Sequence, residues 1–289
     1  MHLKRRDPLR YLLVLPAVAT ICFMILFPSA LSFWLSLHDI TRSTFFGSPS
    51  FVGIKNYIIV LSDPFFLDAL RVSLGWILLT TSVELLLGLG LSLLLNQDVP
   101  YKGAFTVLLL TPMVISPVTA AYMFSLLLNN LFGPVSILLE RVGLRASLLG
   151  DPSLAFFTVA AIDVWQWTPF MFLLIYTGVR AIPAEPIEAA IVDGASPWQL
   201  FARVTLPLLK PIIAVALIFR MMDSFKTFDM IYVLTGGGPG RTTETLNIYI
   251  YRMFSRGDIG LMLALCTMLL AIIPMISRLY MRLLYGAPR

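Results

Sequence analysis

The sequence EAAIVDGASPWQL at residues 188–200 is a polar segment set between two long apolar runs. Pro186 favours a helix start just before it, because the amide hydrogen that proline lacks is not needed in the first turn. Gly194 suits the end of that helix, where a left-handed backbone is common. Ser196 and Gln199 then match a capping box at the start of a second helix. We predict two short helices joined by a sharp bend, a shape suited to docking into a groove of another protein.

The composition around this segment is that of an integral membrane protein. Hydrophobic residues make up 58% of the 289 residues and charged residues only 13%, whereas soluble domains are about a quarter charged. A helix needs roughly 20 apolar residues to cross a bilayer, and the runs here are apolar on all sides instead of alternating as barrel strands do. The predicted spans are 10–37, 67–95, 103–129, 153–179, 211–234 and 259–284. The sequence therefore predicts an all-α membrane protein with six transmembrane helices.

Positive charge at the N-terminus sets the expected orientation. Lys4, Arg5, Arg6 and Arg10 precede an apolar run far longer than the roughly 7–15 residues of a signal-peptide core. We predict an uncleaved first span that starts in the cytoplasm. The remaining Lys and Arg residues are moderately biased to the same side. Both termini and the loop 180–210 are then expected to be cytoplasmic.

The chain is expected to form one membrane domain with two parts. Residues 1–66 would hold the first transmembrane helix and an outer segment with a short interfacial helix at 54–62. Residues 67–289 would form a five-helix core that contains the cytoplasmic loop 180–210. The outer segment 235–258 is rich in Gly and then Thr. No convincing internal repeat is visible, which disfavours secondary transporters built from repeats.

Several kinds of site are not expected. Cys22 and Cys266 lie in predicted spans and suit small apolar positions, and with only His2 and His38 no zinc-type cluster is expected. The glycine-rich stretch 236–240 is not followed by Lys-Ser/Thr, so no phosphate-binding loop is predicted. We therefore predict no metal and no ATP bound by this chain. The net charge of +5 follows from the membrane bias and does not indicate nucleic-acid binding.

Charged residues recur at every third position in the fifth predicted span: Arg220, Asp223, Lys226 and Asp229. Charges inside a membrane are costly and usually face protein or water, and residues three apart are neighbours on a helix. The row could line one wall of a passage. Alternatively, it is a self-neutralising ladder that only holds the bundle together.

A second polar group lies in the fourth predicted span and consists of Asp163, Trp165, Gln166 and Trp167. Aromatic faces and hydrogen-bonding groups together suit a sugar ring, although the two Trp residues would equally suit helix interfaces. Glu84 is a lone acid in the second span, and its pairing with Arg220 is left open by the sequence. Tyr122 is a weaker candidate near the third span.

The segment at 188–200 resembles the EAA loop of the permease subunits of bacterial ABC importers. That pattern has Glu-Ala-Ala, a Gly four residues after the second Ala, and a later hydrophobic-Pro pair, here Glu188, Ala189, Ala190, Gly194 and Leu206-Pro207. The pattern RxxDxFxxFD at 220–229 and the sequence YVLTGGGP at 232–239 add to it. Together they are similar to the sugar-type permeases of the maltose/trehalose importer group, over nearly the whole chain.

This resemblance implies a type I ABC importer permease fold in a bacterial or archaeal cell (inner) membrane. It implies pairing with a second, related permease, two copies of a cytoplasmic ATPase that binds ATP and Mg²⁺, and an extracytoplasmic solute-binding protein. The substrate would be a sugar, with a disaccharide such as trehalose or maltose favoured, and the chain itself would be non-catalytic. Membrane lipid is the remaining expected partner.

The resemblance also implies roles for two sets of residues. In the loop, Glu188 and Asp193 would make polar contacts with the ATPase, and the small or apolar residues would pack closely. The coupling set is Glu188, Ala189, Ala190, Asp193, Gly194, Ala195, Ser196, Leu200 and Pro207. The candidate pathway set is Glu84, Tyr122, Asp163, Trp165, Gln166, Trp167, Asp223, Lys226 and Asp229.

Two other functional classes stay open at this point. An ion-coupled secondary transporter would use the buried carboxylates, and a membrane sensor or assembly scaffold would carry no substrate at all. Neither would need the EAA-like loop.

Overall fold

The structure is a computed structural model that describes residues 8–44, 47, 49–143 and 146–285. Its contacts divide the chain into two compact units. The first unit is drawn from Met1–Phe66 and Ile250–Ile272, and the second from Leu67–Tyr249 and Ile273–Arg289. The predicted division at residue 66 into an N-terminal part and a five-helix core stays a prediction.

Helices dominate the described part of the chain, which also contains one small antiparallel sheet. The elements in chain order are α1 (Pro8–Ser36), β1 (His38–Asp39), β2 (Ser50–Phe51), α2 (Lys55–Ser62), α3 (Pro64–Asn96), α4 (Lys102–Val114), α5 (Pro117–Leu127), α6 (Pro134–Arg141), α7 (Pro152–Arg180), α8 (Ala184–Val192), α9 (Pro197–Leu200), α10 (Leu206–Lys226), α11 (Asp229–Thr235), α12 (Leu246–Arg256) and α13 (Ile259–Tyr285). A π-helical turn at Phe201–Thr205 joins α9 to α10. The helix is therefore continuous over the 30 residues from Pro197 to Lys226.

Four of these stretches are long and apolar enough to cross a membrane: α1, α3, α7 and the continuous helix Pro197–Lys226. The bent pair α4 and α5 counts as a fifth if it forms one span. The apolar runs predicted at 10–37, 67–95, 153–179 and 259–284 are confirmed as helices, and α2 confirms the short helix predicted at 54–62. The described part of the chain is therefore mostly helical, with four or five candidate membrane spans.

The single helix predicted at 103–129 is wrong. The structure has two helices there, α4 and α5, which are bent by 96° at the break between them. The cause is Pro117, because a proline disfavours the helical conformation of the residue before it. Ser116 accordingly has an extended backbone with ψ 138°.

The limits of the helix predicted at 211–234 are also wrong at both ends. The helix begins earlier, in α9, and it stops at Lys226, where Thr227 turns to an extended ψ of 118°. A separate helix, α11, then starts at Asp229. The predicted row of charges is therefore not one helical ladder, because it is broken between its third and fourth members. The region 235–258, which is rich in Gly and then Thr, contains helix α12.

In the first unit, α1 exposes its apolar side chains along most of its length, as a lipid-facing helix does. The segment beyond it is held by Asn56, whose Nδ2 donates to the carbonyl oxygens of Ser36 at 2.8 Å and His38 at 2.9 Å. The backbone amide of Gly260 donates to the carbonyl of Ile40 at 2.8 Å. These bonds tie the start of α13 to the segment that follows α1.

The second unit is built on close packing of α3, α7 and α10. A Cβ at Gly88 of α3 would lie 2.8 Å from Cβ of Met171 on α7. A Cβ at Gly178 of α7 would lie 2.6 Å from the side chain of Ile212 on α10. Small residues allow such close approach between membrane helices. This packing brings the polar residues of the three helices together in the interior.

Candidate functional site

A buried charge cluster joins α3, α7 and α10 around Arg220. The guanidinium donates to Glu84 through two bonds, Nε to Oε2 at 2.6 Å and Nη2 to Oε1 at 2.8 Å. Nη2 also donates to Oδ2 of Asp163, and Nη1 reaches Oδ2 of Asp223 at 3.4 Å. The ring of Trp167 lies 5.3 Å from the guanidinium carbon. The pairing of Glu84 with Arg220, left open by the sequence, is present.

The geometry of this cluster is that of a strong ionic contact in a dry interior. Arg220, Glu84 and Asp163 are at most 1% exposed, whereas the side chain of Asp223 is 50% exposed. The two parallel bonds to Glu84 form the bidentate arrangement that makes arginine pairs strong, and the Trp167 face adds a cation–π contact. One guanidinium cannot balance the charge of three ionised carboxylates. The remaining negative charge therefore lies on the side of Asp223.

That side opens into a cavity of about 240 Å³, which we call the polar cavity. It is lined by Pro117, Asp163, Trp167, Asp223, Lys226, Thr227, Phe228, Asp229 and Met230. The cavity thus joins five of the predicted pathway residues: Asp163, Trp167, Asp223, Lys226 and Asp229. It combines three carboxylates, one ammonium group and two aromatic rings, which are groups that can bond hydroxyls and stack against a sugar ring.

The break between α10 and α11 forms one wall of the polar cavity. Lys226 ends α10 and Asp229 begins α11, so each charge has the sign that a helix terminus favours. Within the part of the chain that the structure describes, Lys226 and Asp229 make no ion pair. Both therefore have charge available to a polar molecule in the cavity.

Four other predicted pathway residues lie elsewhere. Glu84 is buried behind Arg220 and does not line the polar cavity. Trp165 lies on another face of α7 and packs edge-on against Phe124, with ring centroids 5.1 Å apart. Gln166 donates from Nε2 to the carbonyl of Ile115 at 2.7 Å, at the break between α4 and α5. Tyr122 is 60% exposed and is not among the residues that line the cavity.

The sequence did not identify the residues that surround the break between α10 and α11. Asn247 on α12 donates from Nδ2 to the carbonyl of Phe225 at 2.7 Å, which satisfies a backbone acceptor where α10 ends. Thr227 and Phe228 line the polar cavity because the helix stops there. The only signal in the sequence was a polar Asn in the otherwise apolar stretch that follows Thr245.

The EAA-like segment forms the predicted helix–bend–helix, and we call residues 184–205 the coupling segment. Its first helix, α8, starts at Ala184 and not at Pro186, because Pro183 already supplies the N-cap position. Gly194 follows with φ +77°. The amide of Gly194 donates to the carbonyl of Ile191 and that of Ala195 to Ala190, both at 3.0 Å. This is a Schellman ending, which confirms the predicted bend.

The second helix begins with the predicted capping box. The amide of Gln199 donates to Oγ of Ser196 at 3.3 Å, and the amide of Ser196 donates to Oε1 of Gln199 at 2.8 Å. This helix is not short, since it continues through the π-helical turn into α10. That part of the prediction is wrong, because a π-helical turn just before Pro207 lets the helix continue, and Pro211 lies within α10.

The coupling segment exposes apolar and polar groups together. Val192 is 87% exposed and Trp198 73% exposed. Of the predicted coupling residues, Glu188, Ala189, Asp193, Gly194, Ser196 and Pro207 are exposed, and Ala190, Ala195 and Leu200 are half-buried. Exposed large apolar side chains beside carboxylates are typical of a protein-binding surface.

Comparison with known proteins gives consistent matches. The family described as binding-protein-dependent transport system inner membrane component matches residues 84–283. The trehalose/maltose transport system permease protein MalF of Thermococcus litoralis is 38% identical over 259 residues, covering 89% of this chain and 87% of that protein. The sulfoquinovosyl glycerol transport system permease protein SmoG of Agrobacterium fabrum is 34% identical over 279 residues, covering 96% and 90%.

A solved structure shares the fold. A chain of a bacterial alginate ABC transporter, crystallised with an alginate pentasaccharide-bound periplasmic protein, superposes with a TM-score of 0.80 at 23% identity. The match covers 96% of this chain and 95% of that one. The ion-coupled alternative finds no support in these matches.

Proposed function

Because the chain belongs to the family of binding-protein-dependent transport system inner membrane components, we propose that it is the membrane subunit of an ATP-driven sugar importer. Sugar is supported by the named substrates of the trehalose/maltose and sulfoquinovosyl glycerol relatives. It is also supported by the mixture of aromatic and charged groups in the polar cavity. A disaccharide such as trehalose or maltose is the favoured substrate, because that relative has the higher identity of the two.

The proposed topology has six transmembrane helices with both termini in the cytoplasm of a bacterial or archaeal cell. The spans would be α1, α3, the bent pair α4 and α5, α7, the continuous helix Pro197–Lys226, and α13. The 27-residue length of α13 supports the sixth span. The cluster of Lys and Arg before α1 supports the cytoplasmic N-terminus.

The proposed complex contains a second, related permease, two copies of an ATPase and an extracytoplasmic solute-binding protein. The alginate transporter crystallised with its periplasmic protein supports the last of these. This chain would be non-catalytic, with ATP and Mg²⁺ bound by the ATPase. The exposed apolar residues Val192 and Trp198, together with Glu188 and Asp193, would fill the groove of one ATPase copy.

The observation that carries the mechanism is the unbroken helix from Pro197 to Lys226. It leads from the coupling segment, over 30 residues at roughly 1.5 Å each, to the wall of the polar cavity. The capping box at Ser196 and the Schellman ending at Gly194 make α8 and α9 a defined pair that can be displaced together. Closure of the ATPase dimer would move this pair, and the helix would transmit the displacement to Lys226.

In this mechanism the polar cavity is part of the pathway. The sugar would contact Trp167 and Phe228 through its C–H faces, and Asp223, Lys226 and Asp229 through its hydroxyls. The buried contacts of Arg220 with Glu84 and Asp163 would keep α3, α7 and α10 in register while the accessible face of the cavity changes.

Uptake into proteoliposomes tests this proposal. The complex would be purified through a tag on this chain and reconstituted, with the solute-binding protein and labelled trehalose or maltose outside. We expect accumulation that requires ATP inside and persists when ion gradients are collapsed. Accumulation driven by an imposed proton or sodium gradient without ATP would contradict it and restore the ion-coupled alternative.

A further inference from the structure

Two cations share one aromatic ring at the end of α7 next to the coupling segment. Nζ of Lys102 lies 5.6 Å from the ring centre of Tyr176, and the guanidinium carbon of Arg180 lies 5.9 Å from it. Nη1 of Arg180 also donates to Oη of Tyr176 at 3.2 Å. In the described part of the chain, neither cation forms an ion pair with a carboxylate. The position therefore carries two converging and unneutralised positive charges.

A groove of about 610 Å³ lies between α3, α4 and α7, and we call it the apolar groove. Its volume is in the range of ordinary ligand pockets. Six of its fourteen lining residues are leucines of α3 and α4. Nothing in the proposed transport mechanism uses it.

The apolar groove leads towards the two cations along α4. On the α4 side, Val99 and Phe105 line the groove and lie three residues to either side of Lys102. Residues three or four apart on a helix share a face, so Phe105 and Lys102 point to the same side.

On the α7 side, Val164 and Thr168 line the groove. Tyr176 lies eight residues beyond Thr168 on α7, and Lys102 reaches its ring from α4. Lys102, three residues before Phe105, therefore joins the end of the groove to the cation–aromatic contact at Tyr176.

We propose that this surface binds one anionic phospholipid, with an acyl chain in the apolar groove and the phosphate at Lys102 and Arg180. An apolar channel that ends in two cations at a helix terminus has the polarity of a lipid molecule. Tyr176 has the amphipathic character of aromatic residues at membrane interfaces. The two cations lie at the end of α7 that leads into the coupling segment, and basic residues at a membrane surface attract anionic headgroups.

The positive charges of Lys102 and Arg180 favour a lipid over a protein as the occupant of the apolar groove. An apolar side-chain cluster of the second permease would fill the groove but would leave Lys102 and Arg180 without a counter-charge. An anionic headgroup neutralises both and covers the groove at the same time. This site is separate from the polar cavity, so it adds to the proposed transport function and does not depend on it.

Native mass spectrometry of the purified complex tests the proposal, with phosphatidylglycerol and phosphatidylcholine supplied in equal amounts. We expect one additional phosphatidylglycerol retained per copy of this chain. The double variant Lys102→Gln/Arg180→Gln should lower its occupancy by about tenfold or more, since each cation contributes several-fold to the attraction of an anionic headgroup. The control is Lys210→Gln, which removes an exposed cation outside the apolar groove and outside the coupling segment and should leave lipid retention unchanged.

Two further measurements separate the competing occupants. Phosphatidylglycerol with six-carbon chains should bind more weakly than the long-chain lipid, because it leaves the apolar groove unfilled. Millimolar inorganic phosphate should not displace the long-chain lipid. Equal retention by wild type and double variant would overturn the proposal. So would displacement by phosphate alone, or disulfide trapping of a Leu108→Cys variant by a cysteine of the second permease.

Discussion

Arg220 is the residue on which the interior of the second unit depends. It is the cation that pairs with both Glu84 and Asp163, and all three are almost fully buried. Removing one partner of a buried ion pair leaves an uncompensated charge, which costs about 3–5 kcal/mol. We therefore expect Arg220→Met to unfold the chain or lower its melting temperature sharply in a thermal scan of the purified complex.

A second variant tests whether unpaired charge causes this loss of stability, by replacing Arg220, Glu84 and Asp163 together. Exchanging a complete buried ion pair for well-packed apolar residues of similar volume is often close to neutral for stability. The triple variant Arg220→Met/Glu84→Leu/Asp163→Val should therefore recover much of the melting temperature lost by Arg220→Met. If the triple variant is less stable than the single one, the loss comes from packing and not from unpaired charge.

Replacing Lys226 is expected to abolish transport without lowering stability, unlike replacing Arg220. Lys226 faces the polar cavity and makes no ion pair in the described part of the chain, so it contributes little to the folded state. We expect Lys226→Met and Asp229→Asn to abolish sugar uptake while the melting temperature and the assembly of the complex stay unchanged. Unfolding, or loss of the complex, would instead support the purely structural role that the sequence left open for these charges.

At the scale of single residues, the sequence identified charges better than it identified their neighbours. It singled out Asp163, Trp167, Asp223, Lys226 and Asp229, and the structure brings these five to one cavity. Charged and aromatic residue types within apolar runs were sufficient to identify these five residues. Which face of α7 each residue occupies depends on how the helices pack, so the separation of Trp165 and Gln166 from this cavity could not be predicted.

Among the elements, the coupling segment depends on one backbone conformation. Gly194 has φ +77°, and no neighbouring atom within 4 Å of its position restricts a side chain. The limitation is therefore conformational, and Asn tolerates the left-handed region far better than proline, whose φ is fixed near −65°. We expect Gly194→Pro to uncouple ATP hydrolysis from uptake and Gly194→Asn to stay nearly normal.

The measurement is the ratio of sugar molecules transported to ATP hydrolysed in proteoliposomes. Glu188→Lys, which reverses a charge on α8, should lower that ratio as Gly194→Pro does. Normal uptake in both variants would contradict the role given to the coupling segment.

The break between α10 and α11 gives another element-level prediction. Asn247 supplies the donor for the carbonyl of Phe225 at the end of α10. The isosteric variant Asn247→Asp places an acceptor against that carbonyl, and loss of such a bond costs about 1–3 kcal/mol. We expect a higher apparent KM for sugar uptake with a modest fall in melting temperature. A variant with unchanged KM and unchanged stability would show that Asn247 does not hold the break.

Helix lengths were predictable, but interruptions of the helices were only partly so. The apolar runs gave the limits of α1, α3, α7 and α13 to within a few residues, because burial in lipid imposes length and composition. Pro117 was a visible signal for the break after α4, and it was not used. The end of α10 at Lys226 has no proline or glycine nearby in the sequence. The carbonyl of Phe225 near this end accepts a hydrogen bond from Asn247, a distant contact that local sequence cannot reveal.

For the whole molecule, the two functional regions are connected by a single helix. The coupling segment lies at one end of Pro197–Lys226 and the polar cavity at the other. The local sequence signals for caps and bends predicted the first region closely, since they act between residues four or fewer positions apart. The cavity requires α5, α7, α10 and α11 to meet, so its shape follows only from the tertiary structure.

The composition of the assembled complex is the most direct test of an ATP-driven importer. The chain would be tagged, extracted gently from its native membrane and examined by native mass spectrometry. We predict one copy of this chain with one related permease and two copies of an ATPase. Recovery of the chain alone, or as a homodimer without any ATPase, would contradict the importer assignment and the role of the coupling segment with it.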